Sequence, residues 1–132
     1  MAVEHESGIR IVNLDEGVAF RMGNAVSKKV IYPEMGAKQL TLNFGEHQPG
    51  MEFAQHIHEH SEDVIICLKG HGVVRTGNTR LPFGPGDAIY VPAGVVHGTI
   101  NTGDEPLVMI SCQAPPDPAL YQRPAPGGDT DS

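Results

Sequence analysis

The sequence contains no tryptophan, aromatic residues make up only 5% of it, and cysteine occurs twice. Nine lysines and arginines stand against sixteen aspartates and glutamates, for a formal net charge of −7. The few basic residues are scattered, so the basic stripe that a nucleic-acid footprint requires is missing. No apolar run approaches the roughly 18 residues needed to cross a bilayer. The first residues, MAVEHESGIR, lack a basic region followed by an apolar stretch, so they do not read as a signal peptide and a cytoplasmic location is expected. Cys67 and Cys112 form no CxxC pair and are expected to pack as two small, buried apolar groups. At 132 residues the chain suits one domain with a real core.

What the chain does have is turn chemistry. Sixteen glycines and eleven prolines punctuate short apolar runs, the pattern of an all-β sandwich or barrel. Residues 39–44, QLTLNF, alternate with Leu40, Leu42 and Phe44 on one face. A strand over 51–58 would carry His56 and His58 on one face, about 7 Å apart along the strand, and Met51, Phe53 and Ile57 on the other. Val64–Lys69 is apolar on both faces and should be buried on both. Short strands are expected at Val73–Arg75, Ala88–Val91, Val95–Ile100 and Leu107–Ser111, with Pro82–Asp87 read as a turn. Weaker strand signals lie at Ile9–Val12 and Val30–Tyr32. The chain therefore divides into residues 1–38, packing on the barrel or on a partner, a barrel over 39–114, and a Pro/Gly-rich tail over 115–132. That tail is expected to be extended and then partly disordered.

Two segments carry the chemistry. GDAIYVPAGVVHGTIN (86–101) supplies Gly86, Pro92, Gly94, His97 and Asn101, spaced G-x5-P-x-G-x2-H-x3-N. GMEFAQHIHEHSEDVIICLKG (50–70) supplies Gly50, His56, His58 and Gly70. Together they resemble the two motifs of the cupin superfamily, over roughly residues 40–112. The resemblance implies a single double-stranded β-helix, the RmlC-like jelly-roll barrel, with a metal held inside by His56, His58, His97 and a carboxylate. At the acid the chain departs from the pattern. Counting back from Gly70 lands on Asp63, where the family has Glu, while the neighbouring Glu62 has the family's side chain but is one residue out of step. A one-residue slip turns a strand side chain to the opposite face, so only one of the two should point at the metal. Asp63 is favoured because the turn glycine fixes its register; a bulge at the strand start would present Glu62 instead.

Three imidazoles and a carboxylate leave about two positions free on a six-coordinate ion. The expected cofactor is one divalent transition metal ion, iron or manganese before nickel, zinc or cobalt. The family carries dioxygenase, decarboxylase, isomerase and lyase chemistry, which implies an enzyme acting on a small oxygen-rich or carboxylate-bearing metabolite. The ligands do not choose among these reactions, and no catalytic residue is assigned. A stand-alone binding or sensing module without turnover is the alternative. A metal-free sugar-nucleotide epimerase-like cupin fits less well, because Lys69, Arg75 and Arg80 are the only basic residues near the motifs. His5, His47, His60 and His71 read as surface or loop residues. Tyr90, Cys67, Gln55 and Met109 are candidates for work around the pocket, with plain packing favoured for each. Met51, Phe53 and Ile57 on the outer face need cover, which a dimer interface or the N-terminal segment would supply; a homodimer is expected.

Overall fold

The computed structural model describes residues 3–118. Their strands are β1 (Val3–Glu4), β2 (Arg10–Ile11), β3 (Val18–Met22), β4 (Ala25–Ile31), β5 (Thr41–His47), β6 (Glu52–His56), β7 (Glu62–Lys69), β8 (Gly72–Thr76), β9 (Thr79–Phe83), β10 (Ala88–Val91), β11 (His97–Asn101) and β12 (Leu107–Ala114). Single 3-10 turns stand at Leu14–Glu16 and Pro33–Met35. Among the described residues no helix is long and apolar enough to cross a membrane. Of the expected tail, residues 119–132 lie outside the described residues.

A six-stranded sheet runs in the order β10-β7-β12-β5-β4-β3 and a four-stranded sheet in the order β6-β11-β8-β9, all pairs antiparallel. The sheets pack face to face as an all-β jelly roll. Ile65, Cys67, Val91, Leu107 and Met109 from the larger sheet meet Val74 and Phe83 from the smaller one in one buried apolar cluster. Each large side chain buried there contributes roughly 1.5–3 kcal/mol. The remaining space between the sheets is lined by polar as well as apolar side chains. Along β5 the inward residues are Thr41, Asn43, Gly45 and His47, while Leu42 and Phe44 face outward. β3, which the weak apolar pattern of residues 1–38 hid, and β4, signalled only at Val30–Tyr32, extend the same sheet through pairing of β4 with β5. β9 includes Pro82, which had suggested a turn. It is an edge strand, where a residue without an N–H is tolerated.

One irregularity sets the direction of the histidines. Opposite Gly98, β6 carries an extra residue: His97 pairs with His56, and Thr99 pairs with Phe53. The bulge at Ala54–Gln55 breaks strict alternation, so Phe53 turns inward and lines the cavity, contrary to the outward direction expected from parity. Gly98 makes the bulge fit. A Cβ there would lie 2.5 Å from the Phe53 carbonyl oxygen and 2.9 Å from the Gln55 nitrogen.

Asn101 closes the other end of β11. It is 1% exposed, its Nδ2 donates to the carbonyls of His47 and Glu105 at 2.8 Å each, and its Oδ1 accepts from the Gly103 N–H at 2.9 Å. The motif asparagine therefore ties the end of β5 to the β11–β12 loop. Each of those backbone groups, left unsatisfied, would cost about 1–3 kcal/mol. Gly70, at φ +86°, makes the turn after β7 where a Cβ would lie 2.6 Å from the Pro106 carbonyl oxygen. That turn fixes the register of β7.

Candidate metal centre

β6 and β11 place His56 and His97 directly opposite each other, with ring centroids 4.3 Å apart. His58 lies beyond the end of β6, in the connection to β7, so strand alternation does not position it. Its backbone is held instead by Gly94, whose N–H donates to the His58 carbonyl at 2.8 Å. The ring reaches within 4.7 Å of the His56 centroid. Asp63 comes from β7 in the facing sheet. Its Oδ2 lies 3.2 Å from His97 Nε2 and 3.5 Å from His58 Nε2. The four side chains are buried, and one ligand atom from each falls within 4.8 Å of all the others.

The register decides which acid faces inward. Asp63 pairs with Gln113 on β12 and Val91 on β10, all three pointing into the barrel. Glu62 points the other way, is exposed, and accepts a hydrogen bond from the Tyr90 hydroxyl on the surface.

The donor set fits a metal cation on three observations. First, every imidazole has its Nδ1 engaged by an acceptor. His56 Nδ1 lies 2.7 Å from the Ala54 carbonyl oxygen, His97 Nδ1 2.9 Å from that of Val95, and His58 Nδ1 2.7 Å from Asp117 Oδ2. An acceptor at Nδ1 places the proton there, which leaves the Nε2 lone pair free to ligate. Second, the His58 and His97 lone pairs face the Asp63 carboxylate at close range, an arrangement of acceptors that a cation stabilises and neutral rings alone do not. Third, the other carboxylate oxygen, Asp63 Oδ1, is buried with no hydrogen-bond partner among the described residues. Such an atom calls for an ion or water. Burial, then the neighbouring His97, pushes the pKa of His56 down to about 4, so that ring stays neutral and ligand-competent at pH 7.

The cluster opens on an internal cavity of about 60 Å³. That exceeds the roughly 15 Å³ a single water needs. Ser27, Asn43, His47, Thr99, Ser111 and Gln113 give its wall hydrogen-bonding groups, while Phe20, Phe53, Ile65 and Met109 give it apolar flanks. His47 corrects the expectation of a surface histidine. It is 2% exposed, stacks on Phe53 at 5.8 Å, and its Nδ1 has no partner among the described residues. Burial alone lowers its pKa to about 4. The signal was available in the polar parity of β5, since Thr41, Asn43 and His47 share one face.

Asp117 was also missed, because a proline-rich tail gives no register from which to place it. Among the other candidates, Met109 lines the cavity and Cys67 packs in the apolar cluster. Gln55 bonds the Gly77 backbone, and Tyr90 is exposed. His60 is solvated, its side chain 91% exposed. His5 and His71 are exposed as expected. Cys112 is exposed, contrary to expectation, because β12 turns it to the outer face.

The cupin domain model matches residues 43–112, just over half of the chain. The chain belongs to the cupin family. It is 33% identical over 67 residues to an uncharacterised protein of Methanocaldococcus jannaschii, a match covering 51% of this chain and 54% of that one. It is 33% identical over 87 residues to glucose-6-phosphate isomerase of Pyrococcus horikoshii, covering 62% of this chain and 42% of the relative. The chain thus spans about half the length of the relatives it matches. Among solved structures, a predicted oxalate decarboxylase from Thermotoga maritima superposes with a TM-score of 0.69 at 22% identity, over 79% of this chain and 97% of that one. A double-stranded β-helix protein from Klebsiella pneumoniae superposes with a TM-score of 0.68 at 28% identity, over 80% and 89%.

The two buried neutral histidines predict an acid-sensitive metal-free protein. His47 and His56 bind a proton near pH 6.5 when unfolded and only near pH 4 when folded. The unfolded chain therefore holds more protons between those values, and stability present above pH 6.5 is lost as pH falls toward 4. The loss is up to about 3 kcal/mol for each histidine. Chemical denaturation of metal-free protein at pH 7 and pH 4.5 measures it. His47→Phe should be at least as stable at pH 7 and lose markedly less on acidification; an unchanged loss would count against a buried, neutral His47.

Proposed function

We propose that this chain is a small metal-dependent cupin enzyme acting on a small oxygen-rich or carboxylate-bearing metabolite. His56, His58, Asp63 and His97 hold one divalent transition metal ion. The observation that carries this reading is the convergence of three Nδ1-anchored imidazoles on a buried carboxylate with an orphaned oxygen. A mixed nitrogen and carboxylate set with open positions suits iron or manganese first, and nickel, zinc or cobalt next. When bound, the ion supplies Lewis-acid or redox chemistry to a substrate oxygen. The reaction falls in the dioxygenase, decarboxylase, isomerase or lyase classes.

The wall determines what enters. Among the described residues none that lines the cavity is Lys or Arg, so a substrate carboxylate finds its counter-charge at the metal. Hydroxyls and carbonyls of the substrate meet Ser27, Asn43, Thr99 and Ser111. His47, neutral and unpartnered at Nδ1, offers a hydrogen-bonding site on the β5 wall, beyond Phe53 from the His56 ring. Phe20, Phe53, Ile65 and Met109 exclude water around the reacting atoms. The same lack of cations weighs against the sugar-nucleotide epimerase-like reading, since a diphosphate would be unpaired; Arg75 is paired with Glu52.

Elemental analysis of untagged protein tests the reading. The wild type should carry close to one transition metal ion per chain, His58→Ala and Asp63→Ala should lose most of it, and Glu62→Ala should keep it. Metal-free wild type would refute the proposal, and loss in Glu62→Ala with retention in Asp63→Ala would reverse the choice of acid. Oxygen-uptake and turnover screens on the loaded protein then separate an enzyme from a binding module.

The active assembly is proposed to be a homodimer. Cross-strand register lines up Tyr90, Val64, Cys112 and Leu42 in one outward row of the six-stranded sheet, with Ala88, Ile66, Ile110 and Phe44 in the next. Eight apolar or weakly polar side chains in two adjacent rows form a contiguous patch of the kind that a second copy covers. Light scattering should give the mass of two chains for the wild type and of one chain for Ile110→Glu with the barrel's circular dichroism retained. A monomeric wild type would refute this assembly.

A further inference from the structure

The three imidazoles of the site are not anchored alike. His56 and His97 each turn Nδ1 onto the carbonyl two residues earlier in its own chain segment, Ala54 and Val95. Strand geometry supplies those acceptors without further help. His58 has left the strand and has no such local acceptor in use. Its Nδ1 is held instead by Asp117, 59 residues away in sequence, at 2.7 Å.

The segment that delivers Asp117 is built for the task. The sequence reads Pro115-Pro116-Asp117-Pro118, and three prolines restrict the backbone around the one acid. The Asp117 N–H donates to Gln113 Oε1 at 2.7 Å, and Gln113 is 3% exposed and pairs with Asp63 across β12 and β7. Ser61 Oγ donates to the Pro115 carbonyl at 2.6 Å, fastening this segment to the His58 loop. The carboxylate is largely buried, its side chain 16% exposed beside a His58 side chain at 7%.

We infer that Asp117 is a positioning residue for the metal centre, holding His58 in its Nδ1–H tautomer and raising the electron donation of its Nε2. The inference rests on the metal reading above. A backbone carbonyl fixes a ring's tautomer and direction; a carboxylate also makes the ring a stronger donor. Asp117 therefore makes His58 the strongest imidazole donor of the three. Charge supports the same assignment. Asp63 within the cluster and Asp117 behind it together carry two negative charges, matching a divalent cation in a cavity whose lining contains no Lys or Arg among the described residues. The first residues after the barrel's last strand thus complete the centre from its far side.

The test is cobalt(II) titration of metal-free full-length protein, read by affinity and by the visible spectrum of the bound ion. Relative to wild type, Asp117→Ala should bind cobalt roughly 10- to 100-fold more weakly. Asp117→Asn, which keeps an acceptor oxygen but no charge, should lose less affinity yet still shift the cobalt bands. Both metal-free variants should keep the wild-type circular dichroism. If Asp117→Ala does not fold, the spectrum and affinity of Asp117→Asn decide. Wild-type affinity and an unchanged spectrum in the variants would overturn the role of Asp117 while leaving the metal site standing. Failure of the wild type itself to bind cobalt would overturn both.

Discussion

Burying a carboxylate among imidazoles is the constraint around which this barrel is arranged. A charged group taken from water costs several kcal/mol unless it is paired, and Asp63 sits between two sheets with one oxygen unpartnered among the described residues. The rest of the site offsets that cost. Backbone carbonyls orient His56 and His97, Asp117 orients His58, and the three Nε2 atoms converge where a cation would compensate the charge. The apolar cluster of Ile65, Cys67, Leu107 and their neighbours supplies the burial free energy that allows the remaining interior to be polar.

The two sequence motifs act on each other in the folded chain. Gly94, from the second, holds the backbone of His58, from the first. Asn101, from the second, holds the end of β5 through the His47 carbonyl. Gly98 admits the bulge that turns both Phe53 and His56 into the cavity. The spacing of these residues serves the assembly of the cavity wall.

Much of this was legible in the sequence. The spacing of Gly86, Pro92, Gly94, His97 and Asn101 gave the family and the jelly roll, and counting back from Gly70 gave the inward direction of Asp63. The failures have separate physical causes. Phe53 was misdirected because a bulge resets strand parity without any local sequence mark beyond Gly98 on the partner strand. His47 was taken for a surface residue because polar residues were assumed to face water, whereas the face of β5 bearing Thr41, Asn43 and His47 lines the cavity. β3 went unseen and only the end of β4 was signalled, at Val30–Tyr32, because their apolar alternation is weak. Asp117 lies in a proline-rich stretch where periodicity carries no information, and only the fold brings it to His58.

The central claim is that a metal ion occupies the space between the three Nε2 atoms and the Asp63 carboxylate. Anomalous diffraction from crystals of protein purified without chelators tests it most directly. A single strong anomalous peak among His56, His58, His97 and Asp63 is the predicted result. A centre without such a peak, with a protonated His97 Nε2 hydrogen-bonded to Asp63 and an ordered water on Asp63 Oδ1, would contradict it.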